Sequence, residues 1–178
     1  MARIAPAIEP FPDAVQRRLA KLTPLKGEHL LLFRMLARDE RLFARFMDGG
    51  LLDRGHLTLR ERELVILRVC ALNRSEYEWG VHVAYFAERA GLSDVEVAAT
   101  TMDFAKHPWS ASDALIIRLC DVLQHECEVA EDFWAELRES FSEMALLEIL
   151  MLIGKYRQVC ILTNALRLEH EPDTPRFP

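Results

Sequence analysis

Apolar residues recur every three or four positions along almost the whole chain after residue 12. This spacing places them on one face of an α-helix, whereas a half-buried strand would alternate apolar and polar residues. No stretch alternates in that way between turn-forming residues. The sequence therefore predicts an all-α fold. The predicted helices are residues 12–22, 28–37, 39–48, 58–72, 75–90, 93–105, 110–126, 130–140 and 142–168.

The composition predicts one globular domain over residues 1–178. Of these residues 51% are hydrophobic and 28% are charged, which is enough apolar surface for one continuous core. The domain is divided into N-terminal helices over residues 12–50, core helices over 58–105 and closing helices over 110–168. Prolines interrupt residues 169–178, so we expect a non-helical tail.

The charge pattern argues against two classes of partner. The net charge is −6 and no cluster of Lys and Arg is free of acidic residues, so nucleic acid is not an expected partner. The N-terminus has no apolar core of signal-peptide length, and the most apolar run, MALLEILMLIG, is too short to cross a bilayer and contains Glu148. We expect a cytoplasmic protein that does not insert into membranes.

The four cysteines do not form a motif. They show neither C-x-x-C spacing nor zinc-type pairing with histidine. Each lies among aliphatic residues, which is typical of a small buried hydrophobic residue, so we expect reduced thiols. These residues are Cys70, Cys120, Cys127 and Cys160.

Three helix starts carry the pattern of a capping box. In this arrangement a hydroxyl accepts a hydrogen bond from an early backbone N–H, and a carboxylate three residues later bonds back to the first residue. The three pairs are Thr58 with Glu61, Ser75 with Glu78, and Ser93 with Glu96.

The segment SEYEWGVH places polar groups inside an apolar helix. Ser75, Glu78 and His82 are spaced i, i+3 and i+7, so they share one face, and Glu78 can contact His82. A buried charge needs partners. Two interpretations stay open: a capping box followed by a core histidine, or a reaction site. Glu63 belongs to RERELVILR, whose charged start indicates, by itself, a surface position.

The segment TLRERELVILRVCALNRSEYEWGVHVAYFAERAGLSDVEVAA resembles the carboxymuconolactone decarboxylase family, which includes the alkylhydroperoxidase D proteins. Its most specific part is EYEW-x-x-H, followed by a helix break at Gly91-Leu92-Ser93. Segments on both sides are also similar to the family's helices. The resemblance implies an alkylhydroperoxidase D-like helical bundle that associates into a homo-oligomer.

The resemblance also implies a set of catalytic residues. The alkylhydroperoxidase D motif has a glutamate, two cysteines and a histidine, and its spacing falls on Glu63, Ser75, Glu78 and His82. The thiol pair of that motif is therefore missing, and a serine has no comparable oxidation chemistry. The decarboxylase branch has no thiols and places a glutamate four residues before the histidine, as Glu78 and His82 are placed here. The implied catalytic residues are Glu63, Glu78 and His82.

Three functions follow as hypotheses, and the chain is an enzyme in only two of them. The first is cofactor-free acid–base chemistry on a small carbonyl or lactone acid, as in a decarboxylase. The second is a peroxidase-related antioxidant protein, for which Cys70 is the nearest thiol in the sequence. The third is a binding or scaffold protein on the same fold. The predicted substrate-binding residues are Ser75, Tyr77, Trp79 and Phe86.

No metal or cofactor is predicted. Glu63, Glu78 and His82 could in principle ligate an ion, but no further ligand is evident in the sequence. The expected partners are a small-molecule substrate and other copies of the chain.

Overall fold

A computed structural model describes residues 2–22 and 28–178. Over these ranges the predicted all-α fold is confirmed, and the described residues form nine α-helices. A π-helical turn, Val83–Ala87, continues α5, and a 3-10 turn, Phe104–Lys106, follows α6. The α-helices are α1 (Asp13–Leu19), α2 (Leu31–Leu36), α3 (Glu40–Asp48), α4 (Leu59–Leu72), α5 (Glu76–His82), α6 (Asp94–Ala99), α7 (Ala111–His125), α8 (Glu131–Ser140) and α9 (Glu143–Leu166).

Each of the nine predicted segments contains one of these helices, but the predicted ends differ in places. One large difference is in 93–105, where α6 already ends at Ala99. Thr100 and Thr101 donate their hydroxyl hydrogens to the carbonyls of Val97 and Ala98, both at 2.7 Å. Such side-chain bonds compete with the helical backbone and explain the early end. Residues 23–27, which the predictions placed between two helices, lie outside the described residues.

The capping predictions are right at two helix starts and wrong at the third. Both reciprocal bonds are present at Thr58 and at Ser93. The Ser75 side chain caps nothing; its hydroxyl lies 2.7 Å from the hydroxyl of Thr163 on α9. A buried hydroxyl at a helix crossing bonds across the interface, and that contact replaces the local cap.

Helix α4 occupies the centre of the fold. It packs against α5, α7 and α9, and every residue from Arg62 to Cys70 is buried. Surrounded helices of this kind have no solvent-facing stripe, so their polar residues must find partners inside the protein. Arg68 does so with Asp121 of α7, at 2.6 Å. The predicted surface position of Glu63 is wrong, because this residue is completely buried on α4.

The tail, predicted to be non-helical, packs on α5. The backbone N–H of Phe177 donates to Glu76 at 2.9 Å, and the Phe177 ring lies 5.2 Å from the Trp79 ring. The carbonyl oxygen of Pro175 occupies the space that the Cβ atom of any side chain at position 80 would need. Glycine at this position therefore lets the tail approach the helix.

None of the described helices is long and apolar enough to cross a membrane.

The close approach of the tail predicts opposite effects for two glycine substitutions. Gly80→Ala would force the backbone at Pro175 to move, and we expect a loss of about 1–3 kcal/mol, as for an overpacked core. The matched control is Gly154→Ala within α9, where an added Cβ meets no heavy atom within 4 Å. Because alanine favours helix more than glycine does, this control should gain up to about 1 kcal/mol. Urea unfolding of both variants measures the difference, and equal stabilisation would contradict the packing of the tail.

Self-association stays a prediction, and α9 offers one surface for it. Four large apolar side chains on one side of this helix are 47–65% exposed: Met144, Leu147, Met151 and Ile161. We expect light scattering at micromolar concentration to give a mass above the 20.5 kDa of one chain. Met151→Glu should reduce that mass, because a charge would be buried without a partner. A monomer mass for the unmodified protein would refute the prediction.

Candidate active site

The His82 imidazole joins three helices. His82 is the last residue of α5, and its Nδ1 lies 2.7 Å from Glu63 Oε2 on α4. Its Nε2 lies 2.9 Å from the hydroxyl of Tyr156 on α9. The ring also stacks on Phe86, with centroids 5.2 Å apart. The histidine is therefore buried as in a core, but both ring nitrogens are engaged by groups that can exchange protons.

Arg62 completes the environment of Glu63. The Arg62 side chain donates to Glu63 Oε1 at 3.0 Å and to the Leu52 carbonyl at 2.8 Å. Both oxygens of the buried carboxylate thus have a partner, which compensates for its removal from water. The arginine and histidine hold Glu63 in one orientation.

Glu78 contacts His82 through one oxygen only. Glu78 Oε1 lies 3.5 Å from His82 Nε2, one helical turn away. Glu78 Oε2 is buried and has no hydrogen-bond partner in the part of the chain that the structure describes. The residue is 7% exposed, so this oxygen is an available acceptor that water barely reaches.

A cavity of about 710 Å³ lies beside these groups. This volume suits a small ligand. Its polar lining includes Glu78, His82, Tyr156 and Tyr85. The Tyr85 hydroxyl is also buried, and within residues 2–22 and 28–178 it has no hydrogen-bond partner. An unsatisfied buried polar group costs about 1–3 kcal/mol, so a ligand that bonds to these two groups would recover that cost. The apolar part of the wall includes Leu32, Phe33, Phe46, Phe86 and Val159.

Lysine and arginine side chains of the described residues also line this cavity. They are Lys21, Arg89 and Lys155. The same lining includes the carboxylates of Asp53 and Glu78. The Lys155 ammonium donates to the Phe46 carbonyl at 2.6 Å and lies 3.7 Å from the centre of the Phe46 ring. Burial lowers the pKa of Lys155. A partly buried cation of this kind favours an anionic ligand.

The protonation state of His82 follows from two opposing effects. Burial disfavours the charged imidazolium, but the charges and hydrogen bonds of Glu63 and Glu78 outweigh it and raise the pKa of His82 from 6.5 to about 9. Burial, followed by the charges of Glu78 and Glu63, raises the pKa of Tyr156 well above its usual range. At neutral pH, His82 and Tyr156 are therefore both protonated and can both donate a proton.

The structure brings together some of the predicted site residues and separates others. Glu63, Glu78 and His82 are in contact, and Phe86 lies on the cavity wall with them. Within the described residues, the cavity lining does not include Ser75, Tyr77 or Trp79.

These three side chains bond elsewhere. Ser75 contacts Thr163, the Tyr77 hydroxyl donates to Glu171, and the Trp79 indole N–H donates to Thr100 at 3.0 Å. The aromatic side chains point towards the tail and α6, so their predicted contact with substrate is not supported.

Four residues of the site were missed: Arg62, Tyr85, Lys155 and Tyr156. Tyr156 carries the one hydroxyl of the segment LMLIGKYRQVC. A single hydroxyl in a largely apolar helix was only a weak indication of a site residue. Its partner His82 lies 74 residues away in the sequence. Only the packing of α9 on α5 brings the two together.

In the described part of the chain, no three His, Cys, Asp or Glu side chains are arranged to hold a metal ion. Glu63 and Glu78 approach different nitrogens of His82, so the three groups do not converge on one point.

Residues 40–105 match the model of the carboxymuconolactone decarboxylase family. This segment is therefore similar to the family. The resemblance predicted from the sequence is confirmed, and the matched segment contains Glu63, Glu78 and His82 but not Tyr156. No curated protein matches the chain.

Solved structures show the same fold at low sequence identity. One is an alkylhydroperoxidase AhpD core, an uncharacterised peroxidase-related protein from Ralstonia eutropha; it is 18% identical, with a TM-score of 0.85 over 97% of this chain and 93% of that one. Another is an uncharacterised peroxidase-related protein from Silicibacter. It is 18% identical, with a TM-score of 0.83, and the match covers 99% of this chain and 95% of that one. A protein of unknown function from Agrobacterium tumefaciens is 19% identical, with a TM-score of 0.60, and the match covers 73% of this chain and 86% of that one. The bundle is therefore alkylhydroperoxidase D-like.

The raised pKa of His82 predicts a pH-dependent contribution to stability. A group whose pKa is raised on folding contributes stability that is fully present below its ordinary pKa of 6.5 and is lost as the pH rises through about 9. We expect the difference in unfolding free energy between the unmodified chain and His82→Gln to shrink over this range. Urea titrations at several pH values measure it. A difference that does not change with pH would mean that folding leaves the pKa of His82 unshifted.

Proposed function

We propose that the protein catalyses cofactor-free acid–base chemistry on a small carbonyl or lactone acid bound in the cavity beside His82. One observation carries the proposal: the buried Glu78 Oε2 and Tyr85 hydroxyl have no hydrogen-bond partner among the described residues, and both residues line the same cavity as the His82–Tyr156 pair. Residues with an acceptor and with donors thus line one cavity. The match of residues 40–105 to the decarboxylase family supports the same chemistry.

Glu78 is the proposed base. Its free oxygen can accept a proton from a carbon next to a carbonyl group, and its other oxygen stays beside His82, at 3.5 Å. General bases act within hydrogen-bond reach of the proton that they remove. Occupation of the cavity by the substrate would bring that carbon to Glu78.

His82 and Tyr156 are the proposed proton donors. Removal of a proton, or loss of carbon dioxide, leaves an electron pair that a neighbouring carbonyl accepts as an enolate. Donors aimed at the enolate oxygen stabilise it, and one of them returns a proton to the carbon. The Tyr156 hydroxyl and His82 Nε2, 2.9 Å apart on the cavity wall, are suited to these roles.

Glu63 and Arg62 position the imidazole. Glu63 accepts the Nδ1 hydrogen of His82, which leaves Nε2 directed towards Tyr156 and Glu78. Such a partner fixes the orientation and protonation of a catalytic histidine. These two residues act through His82 and would not contact the substrate.

Lys155 is the proposed anchor for an acidic group. It lies next to Tyr156 in the sequence, lines the cavity and is half-buried. A carboxylate bound there would be held close to the proton donors. This supports an acid as the substrate.

The peroxidase-related alternative has weaker support in this chain. Two of the similar solved structures are of peroxidase-related proteins. The positions that hold the thiol pair of the alkylhydroperoxidase D motif are Ser75 and Glu78 here, and neither side chain can form a disulfide. Ser75 is also bonded to Thr163, away from the cavity.

The proposal is tested with a panel of small oxo acids and lactone acids in deuterium oxide. Nuclear magnetic resonance would record deuterium entering the carbon next to the carbonyl, or loss of the carboxylate. We expect Glu78→Gln to lower the rate about 10²-fold or more, the usual effect of losing a general base. The matched control is Glu76→Gln, the same change two residues earlier, where the carboxylate binds the tail instead. This control should keep its activity.

Two outcomes would contradict the proposal. Equal rates for Glu78→Gln and Glu76→Gln would remove Glu78 from the reaction. Binding of panel acids, measured by thermal shift, without exchange or decarboxylation of any of them would instead favour the non-catalytic binding protein.

A further inference from the structure

Two buried cysteines, 90 residues apart in the sequence, meet between α4 and α9. The Sγ atoms of Cys70 and Cys160 lie 3.9 Å apart. The two residues are 0% and 1% exposed. Their spacing in the sequence gave no sign of a pair, because each belongs to a different helix.

The thiols belong to the same helix interface as the candidate active site. Cys70 follows Glu63 by seven residues on α4, and Cys160 follows Tyr156 by four residues on α9. Residues at these intervals share a helix face, so the thiols form the next layer of the interface. The bond between Ser75 and Thr163 forms a further layer, since Thr163 follows Cys160 by three residues. The acid–base mechanism uses neither thiol.

We propose that Cys70 and Cys160 are a redox-modification site, at which a small two-electron oxidant of the hydroperoxide class closes an intrachain disulfide between α4 and α9. A disulfide holds its sulfur atoms about 2.05 Å apart, so the two sulfurs must approach each other by roughly 2 Å. The side chains are short and already in contact across packed helices. This inference is independent of the proposed acid–base function.

The reaction balances with the hydroperoxide as the only co-reactant. One sulfur, as thiolate, attacks the terminal oxygen of the hydroperoxide; the O–O bond breaks, and the alcohol leaves with the proton that the thiol has lost. The resulting sulfenic acid is attacked by the second sulfur, the S–S bond forms, and water leaves. Two thiols and one hydroperoxide thus give a disulfide, an alcohol and water.

The surroundings of Cys70 make this a slow modification. Burial raises the pKa of the Cys70 thiol well above its usual range, and the contact with Cys160 and the charges of Glu78 and Glu63 raise it further. Little reactive thiolate is therefore present at neutral pH. The cavity wall contains Tyr156 and Val159, which lie close to Cys160 in α9. The cavity thus borders the part of α9 that carries Cys160, although its described lining includes neither cysteine.

Cys127 was predicted to be buried, but it lies between Glu126 and Glu128 and is exposed. The experiment therefore uses the full chain with Cys127→Ser, because this thiol would otherwise join different molecules. The folded protein is treated with hydrogen peroxide, unfolded in denaturant that contains N-ethylmaleimide so that every remaining thiol is blocked, and analysed by mass spectrometry. We expect the loss of two hydrogen atoms, two thiols protected from the reagent, and one peptide linkage between Cys70 and Cys160 that dithiothreitol reverses.

Matched variants identify the pair. Cys120→Ser, which changes another buried cysteine, should keep the linkage, whereas Cys70→Ser and Cys160→Ser should abolish it. Cys70→Ala and Cys160→Ala provide the same test without a buried hydroxyl, and circular dichroism verifies that each variant is folded. Three results would overturn the proposal: no linkage in the folded protein, linkage through Cys120, or oxidation of single cysteines to sulfinic acid without linkage.

Discussion

The bond between Glu63 and His82 joins α4 to α5 inside a core that is otherwise largely apolar. Charges removed from water cost several kcal/mol unless they are paired and hydrogen-bonded. This cost explains why Arg62 lies on the other oxygen of Glu63 and why Tyr156 lies on the other nitrogen of His82. The positions of three helices are therefore tied to one charged cluster.

Several local features keep α5 in the position that this cluster requires. A π-helical turn follows directly after His82, and such turns occur frequently at functional sites. At the other end of the helix, Ser75 is bonded to α9 instead of capping its own helix. The tail packs against Gly80 and Trp79. Because α5 is held at both ends and by the tail, the histidine has little freedom to move.

The interface between α4 and α9 contains two different sets of functional groups in adjacent layers. One layer contains proton donors and acceptors that border a cavity, and the next contains two thiols. The cavity layer has an acceptor oxygen with no hydrogen-bond partner among the described residues, whereas the two thiols contact each other. A small ligand is suited to the first layer and a change of oxidation state to the second.

The sequence by itself determined the helical class, the helix starts at Thr58 and Ser93, and the contact between Glu78 and His82, because these depend on spacings within one helix. The resemblance to a known motif added Glu63. Only the tertiary structure decided that Tyr156 completes the site and that Cys70 meets Cys160. These contacts join residues 74 and 90 positions apart, and they depend on how α9 crosses its neighbours. The spacing of residues along one helix does not specify the angle or the register at which two helices cross.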